Sequence, residues 1–332
     1  MKKSFEKFSY GIIDYAGMFP PAKLPFAESF ENFLLYRESN HRDFLARFVL
    51  PLDAFAPFCD AMSANPQPNH PVHITTLGGE KHKELTSVEE FSLELSYLKS
   101  LQESHPNDLV IDSYEVRLSV PMLSALAIDP NRDAAIGKLG KFGDDVVTSL
   151  QNRENDGLIC FFELPYNGFT VAAPTFEMVT EVLSRINVSL NKLGVKARVG
   201  LKLRCGGERI PPSYLIAAIL KQCIERKLPF KATQGLHHPY FSNSRDEKHG
   251  FISLFAAGII ACSNPQLTEE QLAEIVSEGK PEKFVFSDNE LVWDGKYHAT
   301  NQQIEEARHI LISFGSCSFE EPLDDLKASG LL

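Results

Sequence analysis

Short apolar segments alternate with longer segments of helical period along the whole chain. Side chains of a strand alternate between two faces, whereas a helix brings its apolar residues back every three or four positions. Ser87 and Thr268 each begin a capping-box motif that marks the start of a helix. The pattern predicts eight strands, at residues 10–15, 45–52, 72–77, 114–119, 158–164, 197–204, 228–233 and 283–286. It predicts helices at 27–39, 53–62, 88–103, 132–151, 175–193, 212–226, 250–261 and 268–277, and a last helix at 301–313.

Eight strands that alternate with helices fit an α/β fold, a (β/α)₈ barrel of TIM type. A doubly wound open sheet shares this alternation and is the main alternative. No GxGxxG motif follows the first strand, and polar residues recur on one face of many strands, so we favour the barrel. We expect a single domain over residues 1–332, with a small hairpin near residues 288–293.

Two strands in the second half carry a lysine where a buried sheet would place Val or Ile. Each strand then breaks into glycines, in Val199-Gly-Leu-Lys-Leu-Arg-Cys-Gly-Gly207 and in Pro229-Phe-Lys-Ala-Thr-Gln-Gly-Leu-His-His-Pro239. Alternation puts Lys202 and Arg204 on one face, and likewise Lys231 and Thr233. Burying a charged group costs several kcal/mol unless the group is paired. Two strands that each carry such a lysine just before a loop therefore predict an active site.

The predicted site contains four cations, three carboxylates and two histidines at the C-terminal ends of the strands, where barrel enzymes carry out their chemistry. The cations predict an anionic substrate, since Arg117 and Arg204 suit bidentate binding of a carboxylate or phosphate. The glycines after the strands let backbone N–H groups approach a phosphate, or serve only as turn residues. The candidate residues are Asp14, Glu115, Arg117, Glu163, Lys202, Arg204, Gly206, Gly207, Lys231, Thr233, His237 and His238.

The leading hypothesis is a Schiff-base lyase or aldolase that acts on a small anionic carbonyl compound. A lysine that is partly desolvated and crowded by other cations becomes a nucleophile toward carbonyls. Lys202 would form the imine, Lys231 would lower its pKa, and Glu115 or Glu163 would move a proton. The competing interpretation is that both lysines form salt bridges with Glu163 or Glu115 and only stabilise the barrel.

A metal-dependent lyase or hydrolase is the second hypothesis. His237 and His238 could bind a divalent metal together with Asp14 or a glutamate, although no cofactor is needed in the leading hypothesis. Adjacent histidines usually point apart and no HxH or HExxH spacing is present, so a further ligand such as His249 would be required. The third hypothesis is a non-catalytic protein that binds an anion.

Composition narrows the class of protein. The net charge of −11 argues against nucleic acid or an anionic membrane as a partner. Six scattered cysteines without a CxxC pair, and an N-terminus without the apolar stretch of a signal peptide, predict a cytoplasmic protein.

Cys205, beside Arg204, is a minor candidate for a thiolate. The aromatic loop around Met18 and Phe19 predicts a pocket wall or a subunit interface, so a homo-oligomer is possible.

Four phrases together, IDYAGMFPPA, KLRCGG, FKATQGLHHP and FGSCSFEEP, resemble an uncharacterised family of bacterial hypothetical proteins along most of the chain. That resemblance implies no activity. Two strands are also similar to class I aldolases of the deoxyribose-phosphate type. This similarity implies a (β/α)₈ barrel with a Schiff-base lysine on strand six, here Lys202, and a second lysine on strand seven, here Lys231.

The aldolase resemblance is partial. FKATQG is similar to the lysine-small-small-glycine turn of that family, but Arg204-Cys205-Gly206-Gly207 departs from its Lys-Thr-Ser-Thr-Gly pattern. A fainter similarity links the chain to metal-dependent barrel lyases, which use an aspartate on strand one and histidines on strand seven. It implies metal ligands at Asp14 and at His237 or His238.

Overall fold

A computed structural model of the chain describes residues 1–64, 70–79, 84–85, 87–118, 132–151, 153, 157–164, 166, 173–207, 209–243 and 248–332. In chain order the strands are β1 (Ile13–Tyr15), β2 (Leu45–Pro51), β3 (Val72–Leu77), β4 (Glu84–Leu85), β5 (Leu109–Leu118), β6 (Ile159–Leu164), β7 (Arg198–Arg204), β8 (Phe230–Thr233), β9 (Phe284–Phe286), β10 (Glu290–Trp293), β11 (Tyr297–Thr300) and β12 (Leu311–Ser316). The α-helices are α1 (Lys3–Ser9), α2 (Phe26–Arg37), α3 (Phe55–Ala64), α4 (Val88–Ser104), α5 (Arg132–Gln151), α6 (Ala173–Lys192), α7 (Ser213–Glu225), α8 (Phe251–Ser263), α9 (Glu269–Val276), α10 (Asn301–Arg308) and α11 (Glu320–Ala328).

The main sheet is a closed parallel barrel. Its strands follow the order β3-β2-β1-β12-β8-β7-β6-β5, with the two-residue β4 added beside β5. The pairing of β3 with β5 closes the ring at eight strands. The predicted (β/α)₈ TIM-type fold is therefore confirmed.

The eighth barrel strand differs from the one that the sequence predicted. Residues 283–286 were expected in the barrel and residues 301–313 in a helix, but the helix ends at Arg308 and β12 is the barrel strand. Phe314 of this strand packs on Phe251 of α8, with ring centroids 5.0 Å apart. On the opposite face, Ser313 and Gly315 replace the apolar residues by which a buried strand is recognised. The wrong prediction follows from this mixture of small, polar and apolar residues.

The segment at 283–286 instead belongs to a second sheet. In it, β10 pairs antiparallel with both β9 and β11. Phe286 of β9 packs on Phe5 and Phe8 of α1, with ring centroids 4.9 Å and 5.3 Å apart. The alternating apolar residues of β9 are thus buried against a helix, which gives them the same pattern as a barrel strand.

The chain divides into two compact units. The first unit comprises residues 1–46 and 203–332, and the second comprises residues 47–202. In the first unit, β1, β12 and β8 lie side by side and parallel, with Asp14 opposite Gly315 and Ser313 opposite Lys231. This register brings the inward-facing polar side chains of three strands together.

In the second unit, β2, β3, β5 and β6 form consecutive parallel pairs, with Arg117 opposite Glu163. The outer face is aromatic: Tyr114 and Phe162 pack on Phe91 of α4, with ring centroids 5.7 Å and 5.8 Å apart. This helix begins as predicted, because the Ser87 hydroxyl accepts a hydrogen bond from the Glu90 amide. The apolar outer face is what leaves the inner face of these strands available for charged side chains.

None of the described helices has the length and the apolar character that crossing a membrane requires.

Candidate active site

Four charged side chains of the second unit converge near the C-terminal ends of β5, β6 and β7. Lys202 Nζ lies 2.5 Å from Glu115 Oε2 and 2.8 Å from Glu163 Oε2. Arg117 Nε donates to Glu163 Oε1 over 2.9 Å. We refer to these four residues as the Lys202 cluster. Each occupies an inward position on its strand, and the side-by-side order of β5, β6 and β7 brings them together.

The Lys202 cluster is almost closed to solvent. The side chains of Lys202, Glu115 and Glu163 are 7%, 4% and 4% exposed, whereas Arg117 is 30% exposed. The cluster pairs two positive with two negative charges, which makes its burial tolerable. Arg117 is the member that reaches solvent, so an anion that enters from outside would meet this guanidinium first.

The carboxylates determine the protonation state of Lys202. Burial by itself disfavours the ammonium, but the two adjacent carboxylates, Glu115 foremost, more than offset it, so the pKa of Lys202 lies above its ordinary value. Lys202 is therefore charged in the resting protein. An activated lysine nucleophile has a lowered pKa, whereas the pKa of Lys202 is raised. Imine chemistry at Lys202 would therefore require a proton acceptor beside it.

Lys231, in the first unit, has a different environment. Its ammonium contacts Asp14 Oδ2, and the Ser313 hydroxyl donates to the same oxygen over 3.0 Å. The side chains of Lys231 and Asp14 are 2% and 0% exposed. We refer to Lys231, Asp14 and Ser313 as the Lys231 cluster. The sequence interpretation assigned the lysines to Glu115 or Glu163, but the carboxylate at Lys231 is that of Asp14.

The loops after β7 and β8 pack backbone against backbone. A Cβ atom on Gly206 would lie 2.8 Å from the Cα of Gly235, and one on Gly235 would lie equally close to Gly206. Gly235 also has a φ of +72°. Both motifs therefore need glycine at these positions for close approach and for backbone conformation. The Cys205 amide donates to the Thr233 carbonyl over 2.8 Å and ties the two loops together.

The other predicted residues of this region contact residues of neighbouring segments. Arg204 Nη1 donates to Gln234 Oε1 over 3.3 Å. Thr233 Oγ1 lies close to Gly315 of β12. A Cβ atom added to Gly315 would be 3.0 Å from this oxygen. Burial raises the pKa of the Cys205 thiol, which is the opposite of the shift that a thiolate requires.

The two adjacent histidines are held by acidic residues of α11. His237 Nδ1 lies 2.8 Å from Glu321 Oε2, and His238 Nδ1 lies 2.6 Å from Asp325 Oδ2. The Nε2 atom of His249 lies 2.8 Å from the Pro211 carbonyl, and burial lowers the pKa of this histidine. Within the described ranges, no group of three or more His, Cys, Asp and Glu side chains is arranged to hold a metal ion.

Three residues near these sites were missed by the sequence reasoning: Ser313, Cys317 and Glu321. Ser313 fell inside the segment that was expected to be helical. Cys317 and Glu321 belong to the FGSCSFEEP phrase, which directly follows the unrecognised strand. A correct assignment of β12 would have placed Cys317 at a C-terminal strand end and marked it as a candidate.

A surface groove of about 850 Å³ lies elsewhere, between α1 and α10, and is lined by Lys3, Glu6, Lys7, Tyr10, Glu305, Arg308 and His309. It contains none of the predicted site residues. No protein-family model, curated protein or solved structure matches the chain.

Proposed function

We propose that the protein is a (β/α)₈-barrel enzyme that acts on a small anionic carbonyl compound through an imine at Lys202. The observation that carries this proposal is the contact of one buried lysine amine with two carboxylates near the C-terminal ends of β5, β6 and β7. This end of the barrel holds the active site in characterised barrel enzymes. The fold alone does not select a reaction, so the proposal depends on these side chains.

The carboxylates supply what a charged lysine lacks. Glu115 or Glu163 accepts the proton of Lys202, and the free amine then adds to the carbonyl carbon of the substrate. The carbonyl oxygen leaves as water after it gains protons, and a protonated imine remains. When the bond between the α and β carbons of the substrate breaks, its electron pair moves into the imine and forms an enamine. The other fragment passes its hydroxyl proton to a carboxylate and leaves with a new carbonyl group. Return of a proton and hydrolysis release the product and restore Lys202.

Arg117 is the proposed anchor for the anionic group. A guanidinium carries five N–H donors in a planar fork, so Arg117 can keep its bond to Glu163 and still bind a carboxylate or phosphate. Its partial exposure supports this role. The role of Arg204 in anion binding and that of Lys231 in lowering the pKa of Lys202 stay predictions from the sequence, as do a cytoplasmic location and a homo-oligomer.

Reductive trapping tests the proposal. The purified protein is incubated with sodium borohydride and either pyruvate or glyceraldehyde 3-phosphate, and the adduct is located by peptide mass spectrometry. We expect one reduced adduct on Lys202, and none at that position in Lys202→Met. Lys221→Met is the control, because it removes a lysine whose amine donates to the Leu267 carbonyl and has no place in the Lys202 cluster.

The other outcomes identify the competing hypotheses. Stoichiometric metal by elemental analysis, with no adduct, would favour the metal-dependent lyase or hydrolase. Stable phosphate or carboxylate binding with neither adduct nor turnover would favour an anion-binding protein. An adduct that forms on Lys231 instead of Lys202 would move the nucleophile to the other lysine.

A further inference from the structure

A thiol, an imidazole and a carboxylate line up in the first unit, apart from the residues used above. Cys317 lies in the turn between β12 and α11, His237 in the segment after β8, and Glu321 in the first turn of α11. Cys317 Sγ lies 3.8 Å from His237 Nε2, and His237 Nδ1 lies 2.8 Å from Glu321 Oε2. The two ring nitrogens therefore face different groups, one a nucleophile and the other a carboxylate.

This is the arrangement by which a histidine activates a nucleophile. When Nδ1–H of His237 donates a hydrogen bond to Glu321, Nε2 carries the lone pair and can take the proton of the thiol. The carboxylate also orients the ring and stabilises the imidazolium that forms. The nucleophile, the base and the orienting acid come from three separate elements, so chain proximity does not account for their alignment.

Cys317 lies just before a helix that helps to hold the orienting carboxylate. The turn leads into α11, a nine-residue helix, and the Ser318 hydroxyl accepts a hydrogen bond from the Glu321 amide at its start. Tyr15 also lies near Cys317, and the pKa of Tyr15 is raised chiefly by burial.

The thiol and the imidazole are almost closed to solvent. Cys317 and His237 are 8% and 7% exposed. Cys317 directly follows β12, on which side-chain alternation puts Ser313 and Gly315 on one face. A small acyl compound is therefore expected to reach the sulfur more readily than a bulky one.

We propose that Cys317, His237 and Glu321 form a thiol acyl-transfer site for esters or thioesters of small acids. His237 Nε2 takes the thiol proton, and the sulfur attacks the acyl carbon. The new C–S bond forms as the bond to the leaving group breaks, and the leaving group takes the proton from the imidazolium. Water then cleaves the acyl-cysteine and returns the free acid and the thiol. This activity is separate from the imine chemistry proposed at Lys202.

Reaction with p-nitrophenyl acetate tests the site. We expect a rapid burst of p-nitrophenolate and an acetyl group on Cys317, located by peptide mass spectrometry. Cys317→Ala should abolish the burst, and His237→Gln should slow acetylation by on the order of 100-fold, as for loss of a general base. Glu321→Gln should slow it less. Glu320→Gln, an exposed carboxylate one residue away on the same helix, and Cys262→Ser are the matched controls and should react like the wild type.

Two results would overturn this proposal. One is a burst that persists in Cys317→Ala, which would place the reaction on another residue. The other is alkylation of Cys317 by iodoacetamide that proceeds at the same rate in Glu321→Gln and His237→Gln as in the wild type. Glu321 is half exposed, so this variant keeps the test valid if His237→Gln fails to fold. Lys202→Met should leave the burst intact, which separates failure here from failure of the imine proposal.

Discussion

The two mid-strand lysines look alike in the sequence but sit in unlike surroundings. Lys202 contacts two carboxylates, one of which is shared with a partly exposed arginine. Lys231 contacts Asp14, whose carboxylate also accepts from a serine hydroxyl. The first arrangement has two proton acceptors beside the amine and a route to solvent, whereas the second is an almost fully buried pair. A lysine in a strand therefore indicates a buried charge, and its neighbours on adjacent strands decide what that charge can do.

The largest effect on stability is expected at Lys231. Lys231→Met should lower the free energy of unfolding by about 3–5 kcal/mol, because it removes one member of a buried ion pair. Urea denaturation monitored by circular dichroism measures this change. The double variant Asp14→Leu/Lys231→Met should recover most of it, since a hydrophobic pair of similar size can replace a buried ion pair. Wild-type stability in Lys231→Met would show that the pair contributes little.

Lys202→Met should lower the free energy of unfolding by about 3 kcal/mol at pH 8. This loss is at the lower end of the range expected for Lys231→Met, because Arg117 stays beside Glu163. The loss should shrink toward pH 5. Without the ammonium, the like charges of the two glutamates raise a carboxyl pKa, and protonation relieves the repulsion. Lys231→Met leaves Asp14 hydrogen-bonded to the Ser313 hydroxyl and should show a weaker pH dependence. Equal pH dependence in the two variants would remove the distinction drawn between the sites.

Gly206→Ala should destabilise the protein by about 1–3 kcal/mol, since the added Cβ would push against the backbone of Gly235. Gly140→Ala is the control: this residue lies within α5 and has open space around it, so alanine should be neutral or stabilising there. Melting temperatures of the two variants measure the contrast. A Gly206→Ala protein as stable as the wild type would mean that the two loops separate easily.

The smallest expected effect is a loss of stability at alkaline pH. The pKa of Lys202 is raised in the folded protein, so its ammonium stabilises the fold fully below the unfolded value, about 10.4. That contribution is lost as the pH rises through the folded pKa. The melting temperature of the wild type should therefore fall above about pH 10.4 more steeply than that of Lys202→Met. Parallel curves for the two proteins would contradict the raised pKa.

Much of the barrel could be predicted because it depends on local pattern. Seven of the barrel strands overlap predicted segments, since apolar residues with a period of two mark a strand wherever it packs on a helix. The exception, β12, has small and polar residues on its inner face, and β9 has the apolar pattern without the barrel position. Periodicity reports that a face is buried, not which partner covers it.

The sequence by itself determined the fold class and the inward face of each charged strand residue. These follow from side-chain alternation and backbone sterics, which act over a few residues. Only the tertiary structure decided that Lys202 meets Glu115 and Glu163, that Lys231 meets Asp14 and that Cys317 meets His237. Each of these contacts joins residues at least 39 positions apart. Strand order and register place them together, and no local pattern encodes either.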